Sequence, residues 1–372
     1  MKKVLAFMLA AMMMASVAVG CGNDGSTSST DGGATDNTAS TDTNEGEEPA
    51  EEPAADASDV SIGSCVYKFD DTFMTGVRNT MTARAAELGA TIDIVDSQNK
   101  QPTQNEQVDT FITKGVNALI VNPVDLTAAG PIITKAKDAG LPIVLQNRQP
   151  SEEDMNSYDQ AWYVGCKAEQ SGTMSGEIIA DYFTANPDAD KNGDGTIQYV
   201  MLQGEPGHQD ATLRSEYAPK AIEEAGFKVE QLAADTAMWD KVKATDLMAA
   251  FISSQSLDKI EAVLCNNDDM ALGAIEALKA EGYNSGDASK YIPVVGVDAT
   301  APALEAMKEG SLLGTVLNDA TSQGNASVNI AVAAAQGKEV TEENIGYPVT
   351  DDKYVWIDYV KVTQDNYQDY IS

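Results

Sequence analysis

From Val60 onward the chain alternates short β-branched runs with amphipathic helical stretches, and this alternation restricts it to an α/β fold built on parallel sheets. Strand-like runs at 62–67, 92–95, 118–121 and 142–145 are separated by helical stretches at 72–88, 101–114 and 126–139. A strand that reaches the next one only through a helix must cross over, so neighbours run parallel and helices cover both faces of the sheet. The rhythm restarts after Tyr163-Val164-Gly165. Strands are predicted at 197–203, 227–232, 260–265, 292–297 and 312–317, with helices near 169–185, 210–225, 241–254, 268–281 and 300–309. Two doubly wound parallel-sheet lobes joined by a hinge follow, and 372 residues at 43% hydrophobic content suit two such units. Open sheets of this kind bind ligands beyond the carboxyl ends of their strands, so a cleft between the lobes is the natural site.

The first twenty residues read differently. Lys2 and Lys3 precede an apolar run from Val4 to Val19, and Gly20-Cys21 follows, the layout of an export signal. Ala18-Val19-Gly20-Cys21 resembles a bacterial lipobox, with Ala18 in place of the usual leucine. On that reading 1–20 is a lipoprotein signal peptide and Cys21 the lipidated new N-terminus; a plain signal peptide with an incidental cysteine is the alternative. Residues 21–60 then form an acidic tether, too poor in apolar residues to fold, with a root-mean-square reach of roughly 35 Å.

Charge narrows the partners. Of the total of −34, Lys2 and Lys3 contribute +2 and residues 22–60 contribute −11, which leaves −25 on the remainder. Nucleic acid and anionic membrane surfaces require a basic face, and phosphorylated ligands are disfavoured for the same reason. Cys65, Cys166 and Cys265 lie in or beside apolar runs without C-x-x-C spacing, so they read as buried free thiols.

Residues 190–198, Asp-Lys-Asn-Gly-Asp-Gly-Thr-Ile-Gln, space oxygen donors as a calcium loop does. Asp190, Asn192, Asp194, the carbonyl of Thr196 and Gln198 fill alternate positions, and Gly195 occupies the sharp turn. Position twelve, where an EF-hand has glutamate, is Met201 inside an apolar run. The last ligand must come from elsewhere, unless the segment is only an Asx-rich turn.

Polar and aromatic residues gather where the predicted strands end. Asp71 and Phe73 follow the first strand and Asn147-Arg148 the fourth. The strand near 200 is followed by Gly204-Glu205-Pro206-Gly207-His208-Gln209-Asp210, with Arg214 one turn on. Later come Met238-Trp239-Asp240, Asn266-Asn267-Asp268, Asp298 and Asn318. An Asp or Asn at such a place is also what a helix N-cap requires, and Phe73 and Trp239 could be core residues rather than exposed cleft aromatics. Taken as a set, one aromatic from each lobe with Asp, Asn, Arg and His around the edge matches a pyranose sugar, which has apolar C–H faces and a hydroxyl rim. His208 is the sole histidine, and no G-x-S-x-G or H-E-x-x-H motif accompanies it, so an enzyme is disfavoured.

Several of these blocks together resemble the glucose/galactose-binding proteins, extracytoplasmic solute-binding components of hexose ABC transporters, over residues 61 to about 345. They are Tyr-Lys-Phe-Asp-Asp-Thr-Phe-Met at 67–74, Asp-Ser-Gln-Asn at 96–99, Gly-Glu-Pro-Gly-His at 204–208, Asp-Thr-Ala-Met-Trp-Asp at 235–240, Asn-Asn-Asp at 266–268, Gly-Val-Asp-Ala at 296–299 and Gly-Thr-Val-Leu-Asn-Asp at 314–319. The resemblance implies a type I periplasmic binding protein-like fold, with an N-terminal lobe of 61–166 and about 318–350, and a C-terminal lobe of 167–317 and about 351–372. It implies sugar contacts at Asp71, Phe73, Asn147, His208, Asp210, Arg214, Trp239, Asn267, Asp298 and Asn318, the two aromatics sandwiching the ring and Asp71 accommodating both epimers at the fourth hydroxyl. It also supplies the missing calcium ligand as Glu261. Gln209 departs from the family's usual proline, and the match fades beyond about 340.

The implied function is non-enzymatic. A monomeric lipoprotein on the outer face of the cell membrane captures D-glucose and/or D-galactose by closure of its lobes and delivers it to an ABC transporter permease. The alternative is a sensor that presents the same closed form to a chemoreceptor or sensor kinase.

Overall fold

A computed structural model describes residues 60–371, which belong to one compact unit. The export signal, Cys21 and the acidic segment before Val60 lie outside the described residues. The first lobe begins with β1 (Ser61–Val66), α1 (Thr72–Glu87), β2 (Thr91–Asp96), α2 (Gln101–Lys114), β3 (Ala118–Val121), α3 (Ala129–Asp138), β4 (Ile143–Gln146), α4 (Glu152–Asn156) and β5 (Ala161–Gly165). The second holds α5 (Ala168–Ala185), β6 (Thr196–Gln203), α6 (Gln209–Glu224), β7 (Lys228–Thr236), α7 (Lys241–Gln255), β8 (Ala262–Cys265), α8 (Asp268–Ala280), β9 (Val294–Val295), α9 (Ala301–Lys308) and β10 (Thr315–Leu317). The chain then returns to the first lobe with α10 (Ala320–Ala335), α11 (Glu342–Ile345) and β11 (Tyr354–Trp356), and ends in the second with β12 (Val360–Val362).

The first sheet has the order β11-β5-β4-β3-β1-β2 and every pair in it is parallel. The second has the order β7-β6-β8-β9, also parallel. Parallel bridges Val295–Gly314 and Asp298–Leu317 attach β10 beyond β9. The order reverses beside β1 in one sheet and beside β6 in the other, and both reversals open a crevice at the carboxyl ends of the strands.

Burial explains why these runs are continuous rather than alternating. Ala118 and Ile120 pack into the core under α1 and α10, while Leu119 and Val121 pack into the one under α2 and α3. A strand covered on both faces has no solvent side on which to place polar residues.

The end of the chain corrects the lobe boundaries. Residues 351–372, expected in the second lobe, are divided between the two. β11 pairs with β5 as an edge strand of the first sheet. Val355 faces one core of that lobe, and Tyr354 and Trp356 pack against Tyr163 on the other face. The third crossing therefore lies just after Trp356 rather than near 350. β12 then pairs antiparallel with β10, so the second lobe carries one antiparallel edge that alternation did not reveal.

Candidate functional site

All ten residues expected in the cleft line a single cavity between the lobes, joined there by Tyr67, Met74 and Arg148. Its empty space, the open solvent at its mouth included, is about 370 Å³. The two readings of the strand-end polar residues prove compatible. Asp71 caps α1 through one carboxylate oxygen, which accepts from Met74 N at 2.7 Å. Asn267 caps α8 through Oδ1, which accepts from Met270 N at 3.0 Å, and His208 caps α6 through Nδ1, which accepts from Asp210 N at 3.1 Å. Each cap uses one side-chain atom; Asn267 and His208 keep another for the cavity, and the second Asp71 oxygen is shared with the Tyr67 hydroxyl.

The backbone is strained where the cleft residues sit. Asn147 (φ 62°), Trp239 (φ 61°) and Asp298 (φ 128°) are non-glycine residues at positive φ, as are the adjacent Met238 and Ala299. Such conformations cost roughly 1–3 kcal/mol each and persist only where the surroundings over-determine them. For Asn147 the surroundings are explicit. Its N–H donates to Val164 O, and its carbonyl accepts from the Tyr163 hydroxyl at 2.9 Å.

Hydrogen bonds within the wall fix what each side chain offers a ligand. Asn122 Nδ2 donates to Asn147 Oδ1 at 3.2 Å, so Asn147 presents only its NH₂ group. Asn267 likewise has its oxygen engaged, and His208, with Nδ1 accepting, presents Nε2–H. Burial, and after it the charges of Arg148 and Arg214, hold the His208 imidazole well below its usual range and therefore neutral at physiological pH. Arg214 has five N–H groups. Nε donates to Ser171 Oγ (3.0 Å), Nη1 to Asn266 O (2.8 Å), and Nη2 to Asp210 Oδ2 (3.0 Å) and to the Tyr359 hydroxyl (2.8 Å), which leaves one Nη1–H. The acceptors are Asp71, Asp210 and Asp298. Asn318 serves mostly to aim Asp298, because its Nδ2 donates to Asp298 Oδ1 (3.1 Å) while its own oxygen accepts from Gln323 Nε2 (2.6 Å).

Burial pushes the Asp210 and Asp298 carboxyls up from the ordinary carboxylate range, and the Arg214 guanidinium pulls both back. The wall thus holds two arginines, one of them also paired with Glu205, against three aspartates. A small neutral molecule with donor and acceptor hydroxyls satisfies such a wall, whereas an anionic ligand would lack a partner.

Phe73 and Trp239 face the cavity, but they are 9% and 8% exposed rather than open aromatics, each anchored in the core of its own lobe. The indole lies across Gly204, where any Cβ would fall inside the ring, and meets His208 edge-on at 5.1 Å. Several supporting residues escaped sequence reasoning. Asn122 directly follows β3 and carries the same strand-end signal as Asn147. Tyr359 and Gln323 carry none, because they reach the site from 145 residues beyond Arg214 and 157 beyond Cys166.

The loop at 190–198 folds onto Glu261. One Glu261 oxygen accepts from Lys191 N (2.7 Å) and the other from Gln198 N (3.1 Å). Asp190 accepts from Gly193 N and Gly195 N, and Asp194 from Thr196 N. Lys191 Nζ is drawn off to the carbonyls of Leu257 and Ile260. Among the described residues no three His, Cys, Asp or Glu side chains come together as a metal-binding cluster. The donors here are instead carboxylates mixed with amides and a carbonyl, a set of hard oxygens that suits calcium.

Cys65, Cys166 and Cys265 are free thiols. Cys65 is pushed up to about 12 by burial and by Asp93. No helix among the described residues is long and apolar enough to cross a membrane.

Residues 62–339 match the family described as the periplasmic binding protein domain. The chain is 44% identical over 320 residues to the D-galactose/methyl-galactoside binding periplasmic protein MglB of Haemophilus influenzae, covering 86% of this chain and 94% of that one. It is 34% identical to a putative rhizopine-binding protein of Rhizobium meliloti, covering 77% and 88%. In structure it is similar to an ABC transporter solute binding protein from Bacillus halodurans with bound myo-inositol, with a TM-score of 0.71, 34% identity and coverage of 87% and 99%.

Proposed function

Because this chain belongs to the periplasmic binding protein family and has its type I fold, we propose that it captures D-galactose and/or D-glucose in the interlobe cleft and hands the sugar to an ABC permease. The observation that carries this reading is the wall itself. Three carboxylates, Asp298 buried and Asp71 and Asp210 half-buried, and four sets of free N–H donors converge from both lobes around the cavity, with an aromatic ring from each lobe. Neutral hydrogen bonds contribute about 1 kcal/mol net and charge-assisted ones about 1.5–3, so a hexose that meets most of them is held firmly. A wall of this kind also rejects an analogue lacking a hydroxyl, since the buried partner is then left unpaired. The 44% identity to the galactose-binding relative favours hexopyranoses over the myo-inositol bound by the 34% identical structure. Nothing in the wall pairs a nucleophile with an acid and a base, and the reading is binding without turnover.

Two further parts belong to this proposal. Lipid attached at Cys21 would hold the body at the outer face of the membrane. Calcium would be held by Asp190, Asn192, Asp194, Gln198, Glu261 and the Thr196 carbonyl, where it neutralises the loop and pins it to the start of β8, away from the cleft. A ligand bound only by the native state stabilises it by about 2.7 kcal/mol at a hundredfold excess over its dissociation constant. Thermal unfolding with and without D-galactose or D-glucose, in calcium and in chelator, tests the sugar and the calcium readings together. Hexose is expected to raise Tm, whereas ribose and myo-inositol raise it less. Chelation should lower Tm more than it weakens sugar binding, and the reverse order would remove the structural role.

A further inference from the structure

The lobes touch around the cavity at few polar contacts, and one of them differs in kind from the rest. Thr72 Oγ1 donates to Asp269 Oδ2 (2.8 Å) at an exposed rim, and Gln209 Nε2 donates to Gln149 Oε1 (3.2 Å) between neutral amides. Between Arg148, which follows β4, and Glu205, which follows β6, lies an ion pair of 2.7 Å whose side chains are 5% and 21% exposed. We propose that the Arg148–Glu205 pair is the latch of the closed form and sets how long a ligand is retained, without itself selecting the ligand. This rests on the reading of the cleft as a binding site closed by lobe movement.

Arg148 is held in place by its own lobe. Its Nη1 donates to the Val124 carbonyl, and its guanidinium lies over the Tyr67 ring at 4.3 Å. Closure therefore adds Glu205 to a cation already aimed at it, and little side-chain freedom remains to be lost. The sign of the effect follows from desolvation. A buried ion pair gains nothing when both ions must leave water on forming it. Here Arg148 is already bonded to Val124 and stacked on Tyr67 of its own lobe, and Glu205 keeps about a fifth of its exposure within the pair, so the attraction is not cancelled. The pair also stiffens the site from outside it. Tyr67, under the guanidinium, donates its hydroxyl to Asp71 Oδ2, so Glu205 of one lobe steadies an acceptor of the other through two intervening side chains.

Opposite charges at an interface govern dissociation when they are buried and hydrogen-bonded, and encounter when they lie at the rim. Stopped-flow release and association of D-galactose and D-glucose from wild type, Arg148→Gln, Glu205→Gln and the double variant make the test. Each single variant should release sugar at least about tenfold faster, with association changed less than about threefold. The double variant should be no worse than the more affected single one. Both hexoses should suffer the same fold-change. If Arg148→Gln folds poorly, Glu205→Gln alone still carries the prediction. Unchanged release from Glu205→Gln, multiplying effects in the double variant, or a changed glucose-to-galactose ratio would overturn the latch. A wild-type protein that binds neither hexose would instead overturn the sugar reading, and the same series on whatever ligand it does bind would still decide the latch.

Discussion

Arg214→Met is expected to lose at least about 10²-fold in hexose affinity and to unfold at markedly lower urea concentration. Arg214 is almost fully buried and spends four hydrogen bonds inside the wall, on Ser171, Asn266, Asp210 and Tyr359. It is the cation that draws the carboxyls of Asp210 and Asp298 back toward ionisation against their burial. Without it the carboxyls of Asp210 and Asp298 lose their main compensating charge, and removing one partner of a buried ion pair costs about 3–5 kcal/mol. Protonation relieves part of that cost, but it converts acceptors into donors and so changes what the cleft can hold. Arg214→Lys keeps the charge and loses the fork, since an ammonium cannot reach Ser171, Asn266 and Asp210 together. It should recover part of the stability and less of the affinity. Calorimetric titration and urea unfolding measure the two effects separately, and an Arg214→Met protein that binds hexose within about fivefold of wild type would refute this role.

Trp239→Ala carries the second large effect, with a loss of about 10²-fold or more in affinity. The ring supplies an apolar part of the cavity wall, as Phe73 does from the other lobe, and no neighbour could replace it, because it is held at positive φ between Gly204 and His208. Truncating a buried tryptophan costs about 3–5 kcal/mol of stability, so loss of affinity alone would be ambiguous. Gly204→Ala separates the cases. Its Cβ would displace the indole without deleting it, and it should weaken sugar binding while leaving the aromatic content intact. Trp356→Phe is the control, since that ring stacks on Tyr354 at the far edge of the first sheet. If Trp239→Ala and Trp356→Phe change affinity equally, the tryptophan is packing rather than site.

Much of this arrangement is legible in the sequence, and the reasons it stops being so are physical. A strand covered on both faces must be a continuous apolar run, so α2 and β3 fall where the alternation places them, at Gln101–Lys114 and Ala118–Val121. The lobe to which Tyr354-Val355-Trp356 belongs is not legible, because either sheet could take an apolar triplet and only its pairing with β5 decides. Asp71, His208 and Asn267 looked ambiguous between cap and ligand because one side chain with two polar atoms does both. Their supports are tertiary coincidences. No local pattern announces that Gln323 aims Asn318 or that Tyr359 holds Arg214. Phe73 and Trp239 were expected to be exposed, yet a ring that must keep its plane under a ligand needs a core behind it, and both have one.

The most direct measurement is calorimetric titration of the purified protein with D-galactose and D-glucose at neutral pH. The account predicts a one-to-one complex with at least one of them, with a dissociation constant of about 1 μM or tighter, corresponding to roughly 8 kcal/mol. A protein that gives no heat with either hexose while binding a pentose, an inositol or a charged solute tightly would contradict it.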